Sequence, residues 1–298
     1  MTLEPMTPNP MNDDEVTSGD PVFYRNARRK IATPSSALIS SSPWLNDARI
    51  REWIAAESLR RNGADYPLLY GLPTLIEAID QVRDFDRVEA LIAQERRINP
   101  ALDRWFEARF VSTYSREDLA QYPTGSIGRQ LYDYMTDYDL SPQLDPRILA
   151  DPDWKPVRDI EYFTLRSGQT HDFYHILGEV GFGTVAEYFI TGVTTGDAFA
   201  HVSPELAGEL QTINSLIMFP WMLRTMLHYP AAWPQLWKNL TYGYEVGEQS
   251  DMLFTAKYED ILHLDPARAR EALGWRGFRG PTDNKPASLI FGEGREIL

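Results

Sequence analysis

The chain has no cysteine, which excludes disulfide scaffolds, thiolate-ligated zinc, iron–sulfur clusters and thiol nucleophiles together. Histidine is scarce, 5 in 298 residues, so any metal site must be assembled from those few imidazoles and from Asp and Glu. Basic residues are outnumbered. Lys and Arg total 29 against 43 Asp and Glu, a formal charge of -14, and a phosphate-tracking protein needs the opposite balance, so nucleic acid is not an expected partner. No apolar run approaches the roughly 18 residues of a membrane span. The opening Met1-Thr2-Leu3-Glu4-Pro5 has neither a basic nor an apolar stretch, which leads us to expect a cytoplasmic protein without a cleaved address. Also missing are a G-x-S-x-G elbow, a phosphate-binding P-loop and the glycine fingerprint of a dinucleotide fold.

What is present is an ordinary globular composition, 43% hydrophobic, in a chain long enough to bury a large core. Residues 1–22 combine four prolines with the acidic run Asp13-Asp14-Glu15 and few large apolar groups, so they read as a disordered lead-in. From Trp44 onward apolar residues recur at helical spacing. Ile50, Trp53, Ile54 and Leu59 form one stripe, with Asn62-Gly63 as its stop. Pro73 opens a longer helix through Leu75, Ile79, Val82, Phe85, Val88 and Leu91, closing at Asn99-Pro100. Shorter helical patterns cover 101–111 and 126–138, and the prolines of 141–156 read as a connector. Helical spacing resumes over 160–177, 184–190, 205–229 with an interruption at Pro220, and 266–273. Neither alternating strands nor repeats are found. The expectation is an all-α, single-domain helical fold over 23–275, followed by a loosely ordered tail at 276–298.

The chemistry concentrates in Thr170-His171-Asp172-Phe173-Tyr174-His175, followed by Gly178, Gly181, Gly183 and Glu187. On a helix, positions 171 and 175 are one turn apart on the same side, and Asp172 lies about 100° round from His171 and about 60° from His175. The three glycines suffice to break the helix and turn the chain back, so that Glu187 faces the same point from the next helix. Two imidazoles and two carboxylates suit zinc, iron, manganese or cobalt, and ligand chemistry alone does not choose among them. An H-D-x-x-H run arises by chance in roughly one sequence in 150 of this composition. Two plainer readings compete: Thr184-x-x-Glu187 is also a helix capping box, and the histidines are also candidates for core hydrogen bonding. Rival catalytic motifs fail on residue type. A zincin needs Glu where Asp172 stands, an HD-type phosphohydrolase needs a further His upstream of His171, and a ferritin-like centre needs Glu-x-x-His pairs that are missing.

The run from Tyr162 to Phe189, built on His171-Asp172-x-x-His175 with Glu187 beyond, resembles the signature of the Coq4 family of ubiquinone biosynthesis proteins. Tyr122-Pro123-Thr124-Gly125-Ser126-Ile127-Gly128-Arg129-Gln130-Leu131-Tyr132 is similar to that family's glycine-centred segment, and Asp265-Pro266-Ala267-Arg268 through Gly274 echoes its C-terminal helix. The resemblance implies an all-helical protein holding a divalent metal, zinc first with iron, manganese or cobalt as alternatives, through His171, Asp172, His175 and Glu187 as metal ligands and catalytic residues. It implies peripheral association with the inner face of the membrane, an apolar tunnel or groove for a polyprenylated quinone precursor or other isoprenoid lipid, and contact with other quinone biosynthesis proteins. The implied activity is oxidative decarboxylation at ring carbon C1 of a polyprenylated 4-hydroxybenzoate. The alternative is a non-catalytic lipid-binding scaffold for the enzymes that perform it. Arg129 and its neighbour Tyr132 are the candidate substrate-binding residues, since a guanidinium fork matches a carboxylate. For membrane contact the candidate is the apolar octet Leu216-Ile217-Met218-Phe219-Pro220-Trp221-Met222-Leu223, and a symmetric homo-oligomer is expected.

Overall fold

The computed structural model describes residues 40–59, 71–137 and 153–282. The chain divides into two compact units, Met1–Ser41 and Ser42–Leu298, and all elements below belong to the second. The expected lead-in at 1–22, the Asn62-Gly63 stop, all but the last residues of the 141–156 connector, and residues 283–298 of the tail lie outside the described residues.

Every regular element among the described residues is helical. Helix α1 (Ala48–Leu59) buries Ile50 and Trp53, whereas Leu59, expected on the same stripe, is exposed. The single helix expected from Pro73 to Asn99 is two, α2 (Leu72–Val82) and α3 (Phe85–Ile98). Asp84 makes the break. Its carboxylate accepts the Arg87 N–H at 3.0 Å and starts a new helix, although the apolar spacing runs on across the junction. Helix α4 (Pro100–Ala108) starts on Asn99, whose side chain accepts two N–H groups. Then come the one-turn α5 (Arg116–Leu119) with its Ser115/Asp118 capping box, and α6 (Ile127–Asp137).

The long helices α7 (Asp159–Gly178) and α8 (Thr184–His201) follow, the second well beyond the expected 184–190. The 205–229 pattern is α9 (Pro204–Leu210) and α10 (Thr212–His228), divided at Gln211 rather than at Pro220. Proline cannot donate to the carbonyl four residues earlier, and that carbonyl, Leu216 O, accepts the Trp53 indole N–H at 2.8 Å instead. With its orphaned acceptor satisfied, α10 continues through Pro220. Helix α11 (Trp233–Gln249) is not anticipated by the sequence patterns, whereas α12 (Pro266–Ala272) matches its expected place.

Among the described residues, helices α8 and α11 pack most closely. A Cβ built on Gly192 would fall 2.3 Å from Leu240 O, and one on Gly243 would fall 2.1 Å from Phe189 O, so the two backbones touch. Helix α7 is buried on nearly every side, with Ile160, Tyr162 and Phe163 in one apolar cluster and Phe173, Tyr174 and Leu177 in another. A helix so placed must satisfy its polar groups internally. The two terminal nitrogens of Arg166 do so through Ser112, Gln169 and Glu259. Helix α6 docks end-on, with the Ile127 and Gly128 N–H groups donating to Leu264 O and Leu262 O, both at 2.8 Å. Residues 276–282 have no regular structure and lie along the body, where the Arg276 and Arg279 N–H groups donate to Ser250 Oγ and Tyr242 Oη. Among the described residues no helix is long and apolar enough to cross a membrane.

Candidate metal centre

The centre sits where α7 ends and α8 begins. Helix α7 stops after Gly178, where a Cβ would fall 2.3 Å from the Phe189 ring. Glu179 then takes a left-handed conformation, φ 50°, and so does Gly181, φ 70°. The Arg270 guanidinium closes this end by donating to Leu177 O and to the Glu179 carboxylate. The chain reverses within five residues, and the first turn of α8 returns alongside the last turns of α7. Gly183 is the residue that caps α8, with no side-chain capping bond. The Glu187 carboxylate is instead turned to the imidazoles.

Its two oxygens reach both rings: His171 Nε2 is 3.1 Å from Oε2, and His175 Nε2 is 3.3 Å from Oε1. His171 Nδ1 lies 3.1 Å from Asp172 Oδ1. His175 Nδ1 lies 2.6 Å from the carbonyl oxygen of Gly181. A carbonyl only accepts, so Nδ1 carries a proton. Nε2 faces a carboxylate oxygen, an arrangement that is repulsive unless a proton or cation stands between them. His175 and Asp172 are buried, and the side chain of His171 is 37% exposed, leaving one open approach.

A divalent cation fits His171, Asp172 and His175, with Glu187 set against both rings, on two observations. Donor atoms of His171, Asp172 and His175 all lie within 4.8 Å of one another, and the nitrogen–oxygen separations of 3.1 and 3.3 Å to Glu187 match the spacing of about 3.0–3.4 Å between neighbouring ligands held about 2.1 Å from one ion. Asp172 Oδ2 is buried without a hydrogen-bond partner, a costly arrangement for a carboxylate oxygen unless a cation satisfies it. The local field agrees. Burial works against a charge on His171, but the Glu187 carboxylate and then Asp172 outweigh it and raise the imidazole to about 10. Burial likewise opposes the charge on Glu187, and the two imidazoles hold its carboxyl well below the usual carboxylate range.

Two aromatic side chains at the centre carry no motif in the sequence. The Phe182 ring stacks on His175 at 4.7 Å between centroids, and Tyr134 of α6 stacks on the other side of Phe182. Their one sequence signal is an aromatic residue set between Gly181 and Gly183. Elsewhere on the same core, burial first, and then the Glu259 and Asp172 carboxylates, push the Tyr114 phenol up. Arg129 pairs with Asp133 at 2.9 Å and lies over the Tyr132 ring, with both charged side chains partly exposed.

Known proteins align with this region. Residues 110–201 match the family model described as "Coenzyme Q (ubiquinone) biosynthesis protein Coq4". The match takes in the glycine-centred segment and the whole of His171, Asp172, His175 and Glu187, and it ends before the 265–274 helix. No curated protein matches the chain. A crystal structure from Nostoc punctiforme PCC 73102, described provisionally as a ubiquinone biosynthesis protein, is similar in fold, with a TM-score of 0.53 at 19% identity over 76% of this chain and 94% of that one. The segment that builds the centre, residues 110–201, is thus similar to the Coq4 family of coenzyme Q (ubiquinone) biosynthesis proteins.

Proposed function

We propose that this protein is a metal-dependent enzyme of ubiquinone synthesis, acting in the oxidative decarboxylation at ring carbon C1 of a polyprenylated 4-hydroxybenzoate. The observation that carries this reading is the meeting of two imidazoles and two carboxylates at the α7–α8 turn, one of them with a buried, unpartnered oxygen, inside a Coq4 segment. His171, Asp172, His175 and Glu187 are the ligands, and zinc, iron, manganese or cobalt each suits the set. A bound cation supplies Lewis acidity toward a carboxylate or phenolate oxygen of the substrate. The chain's own part is to present that oxygen at the exposed His171 side and to keep the opposite wall, His175 and Asp172, dry. Arg129 is the partner of the substrate carboxylate, giving up Asp133 to take it, and the Tyr132 ring lies beneath the guanidinium.

In this reading a pocket beyond the centre takes the prenyl tail. Between α8, α10 and α11 lies an apolar pocket of about 270 Å³, lined by Gly192, Met218, Phe219, Trp237 and Leu240 among others. Thr191, also in its wall, follows Glu187 by one turn of α8, about 6 Å along the helix. Phe219 and Trp237 of its wall are exposed, as are Leu223 and Leu227 further along α10, and in this account they insert into the inner face of a membrane. With a net charge of -14 the attachment is apolar rather than electrostatic, so liposome flotation is expected to be insensitive to salt.

The pocket also favours a second reading, a non-catalytic scaffold that presents a prenylated intermediate to partner enzymes, with the cation pinning two helices. The two are separated by supplying metal-loaded protein with a prenylated 4-hydroxybenzoate, dioxygen and a two-electron reductant. Release of carbon dioxide with formation of the hydroxylated ring supports the enzyme, and binding without turnover supports the scaffold. A His171→Ala variant that keeps full activity without metal overturns the first reading.

A further inference from the structure

The group that decides how His175 meets a cation is not a ligand. His175 is fixed at three points: its backbone on α7, its Nδ1–H donating to Gly181 O at 2.6 Å, and its ring face against Phe182. The Phe182 ring lies 4.7 Å from the imidazole centroid at an interplanar angle of 24°, and Tyr134 lies parallel to Phe182 within 12° on the far side. Imidazole, phenyl and phenol therefore form one stack that runs from the end of α7, through the reversal loop, to α6.

The Phe182 ring presents no atom suited to bind a cation, yet the stack removes the one freedom the hydrogen bond leaves. A single bond from Nδ1 fixes the proton but lets the ring rock about that bond, and a rocked ring swings Nε2 away from Glu187 Oε1, now 3.3 Å distant. A flat aromatic face against the imidazole blocks that motion, and the Tyr134 ring, only 8% exposed, keeps Phe182 from yielding. Groups that orient a ligand from outside the coordination shell typically change metal affinity 10–100-fold when removed.

We infer that Phe182, backed by Tyr134, is a positioning residue for His175, so that an aromatic stack running from α6 sets the cation affinity of the centre without touching the cation. This rests on the metal-centre reading above. The test is cobalt(II) titration of the full-length protein, followed by its visible absorption, in the wild type, Phe182→Ala, Phe182→Tyr and Tyr134→Leu. Phe182→Ala is expected to bind cobalt about 10–100-fold more weakly, with an altered visible band, and Phe182→Tyr, which retains a ring, to return close to wild type. Tyr134→Leu is expected to fall between them, and it is the variant to read if Phe182→Ala does not fold. Wild-type affinity and spectrum in Phe182→Ala, or in Tyr134→Leu where Phe182→Ala is unfolded, overturn the inference and leave the metal centre standing. If the wild type takes up no cobalt, the metal centre falls and the inference with it.

Discussion

Replacing Gly243 by alanine tests how the backbone contact between α8 and α11 reaches the metal centre. The new Cβ would stand 2.1 Å from Phe189 O, and restoring an ordinary 3.4 Å contact requires the helices to part by about 1.3 Å. Overpacking of this kind costs about 1–3 kcal/mol, and the better helix propensity of alanine returns up to about 1 kcal/mol. A net loss of about 0–3 kcal/mol follows, centred near 1.5. The displaced carbonyl belongs to a residue two positions beyond Glu187, and the Phe189 ring also seats the last residue of α7 at Gly178. Parting the helices there therefore moves Glu187 relative to His171 and His175. Gly247→Ala is the matched control, because its Cβ would stand 2.1 Å from Val193 O, one turn further along α8. Both variants should lose stability in urea melts. Only Gly243→Ala should also lose cation affinity, on the order of tenfold, the low end for a disturbed outer shell. Equal affinities in the two variants, or no loss of stability in either, refute the reasoning.

Other perturbations follow from the same packing. Arg166 is 2% exposed and forms a two-pronged ion pair with Glu259; Arg166→Met strands that carboxylate and should cost about 3–5 kcal/mol, read as a fall in Tm of about 6–20 °C for a domain of this size. Gly128→Ala places a methyl 2.6 Å from the Tyr122 ring and 3.0 Å from Leu262 O, and should destabilise by about 1–3 kcal/mol through the docking of α6. The hydrogen bond with Asp197 raises the pKa of His201 above its ordinary 6.5. Stability from this pair is therefore complete below about pH 6.5 and is lost as pH rises through the folded-state value. Urea melts across that range should show the decline in the wild type and not in His201→Gln.

Much of the fold is legible in the residues themselves because helical spacing of apolar side chains reports burial directly, as at Ile50 and Trp53 or from Ile160 to Leu177. Legibility fails where tertiary contact overrides local signals. Helix α11 carries Pro234, Gly243 and Gly247, which read as breakers, yet the glycines are there because the α8 backbone touches them. Pro220 looks like an interruption, and the indole of Trp53, distant in sequence, supplies what the helix lacks at Leu216 O. The break between α2 and α3 is hidden under continuous apolar spacing and marked only by the Asp84 cap. At the centre, the spacing of His171 and His175 shows that they share a face, and the glycines show that the chain reverses. The spacing does not show that Glu187 touches both rings at once, since that depends on the register of two helices. The Phe182 stack is less legible still, because Tyr134 is far from it in sequence and joins it only through the docking of α6 on the 262–264 turn.

The central claim is that four side chains share one divalent cation. Calorimetric titration of metal-stripped protein with zinc and with cobalt(II), in the wild type and in single alanine variants of His171, Asp172, His175 and Glu187, tests it most directly. The account predicts one equivalent bound by the wild type and a steep loss of affinity in every variant. Wild-type binding by the His175→Ala or Glu187→Ala protein, or no uptake by the wild type, contradicts it.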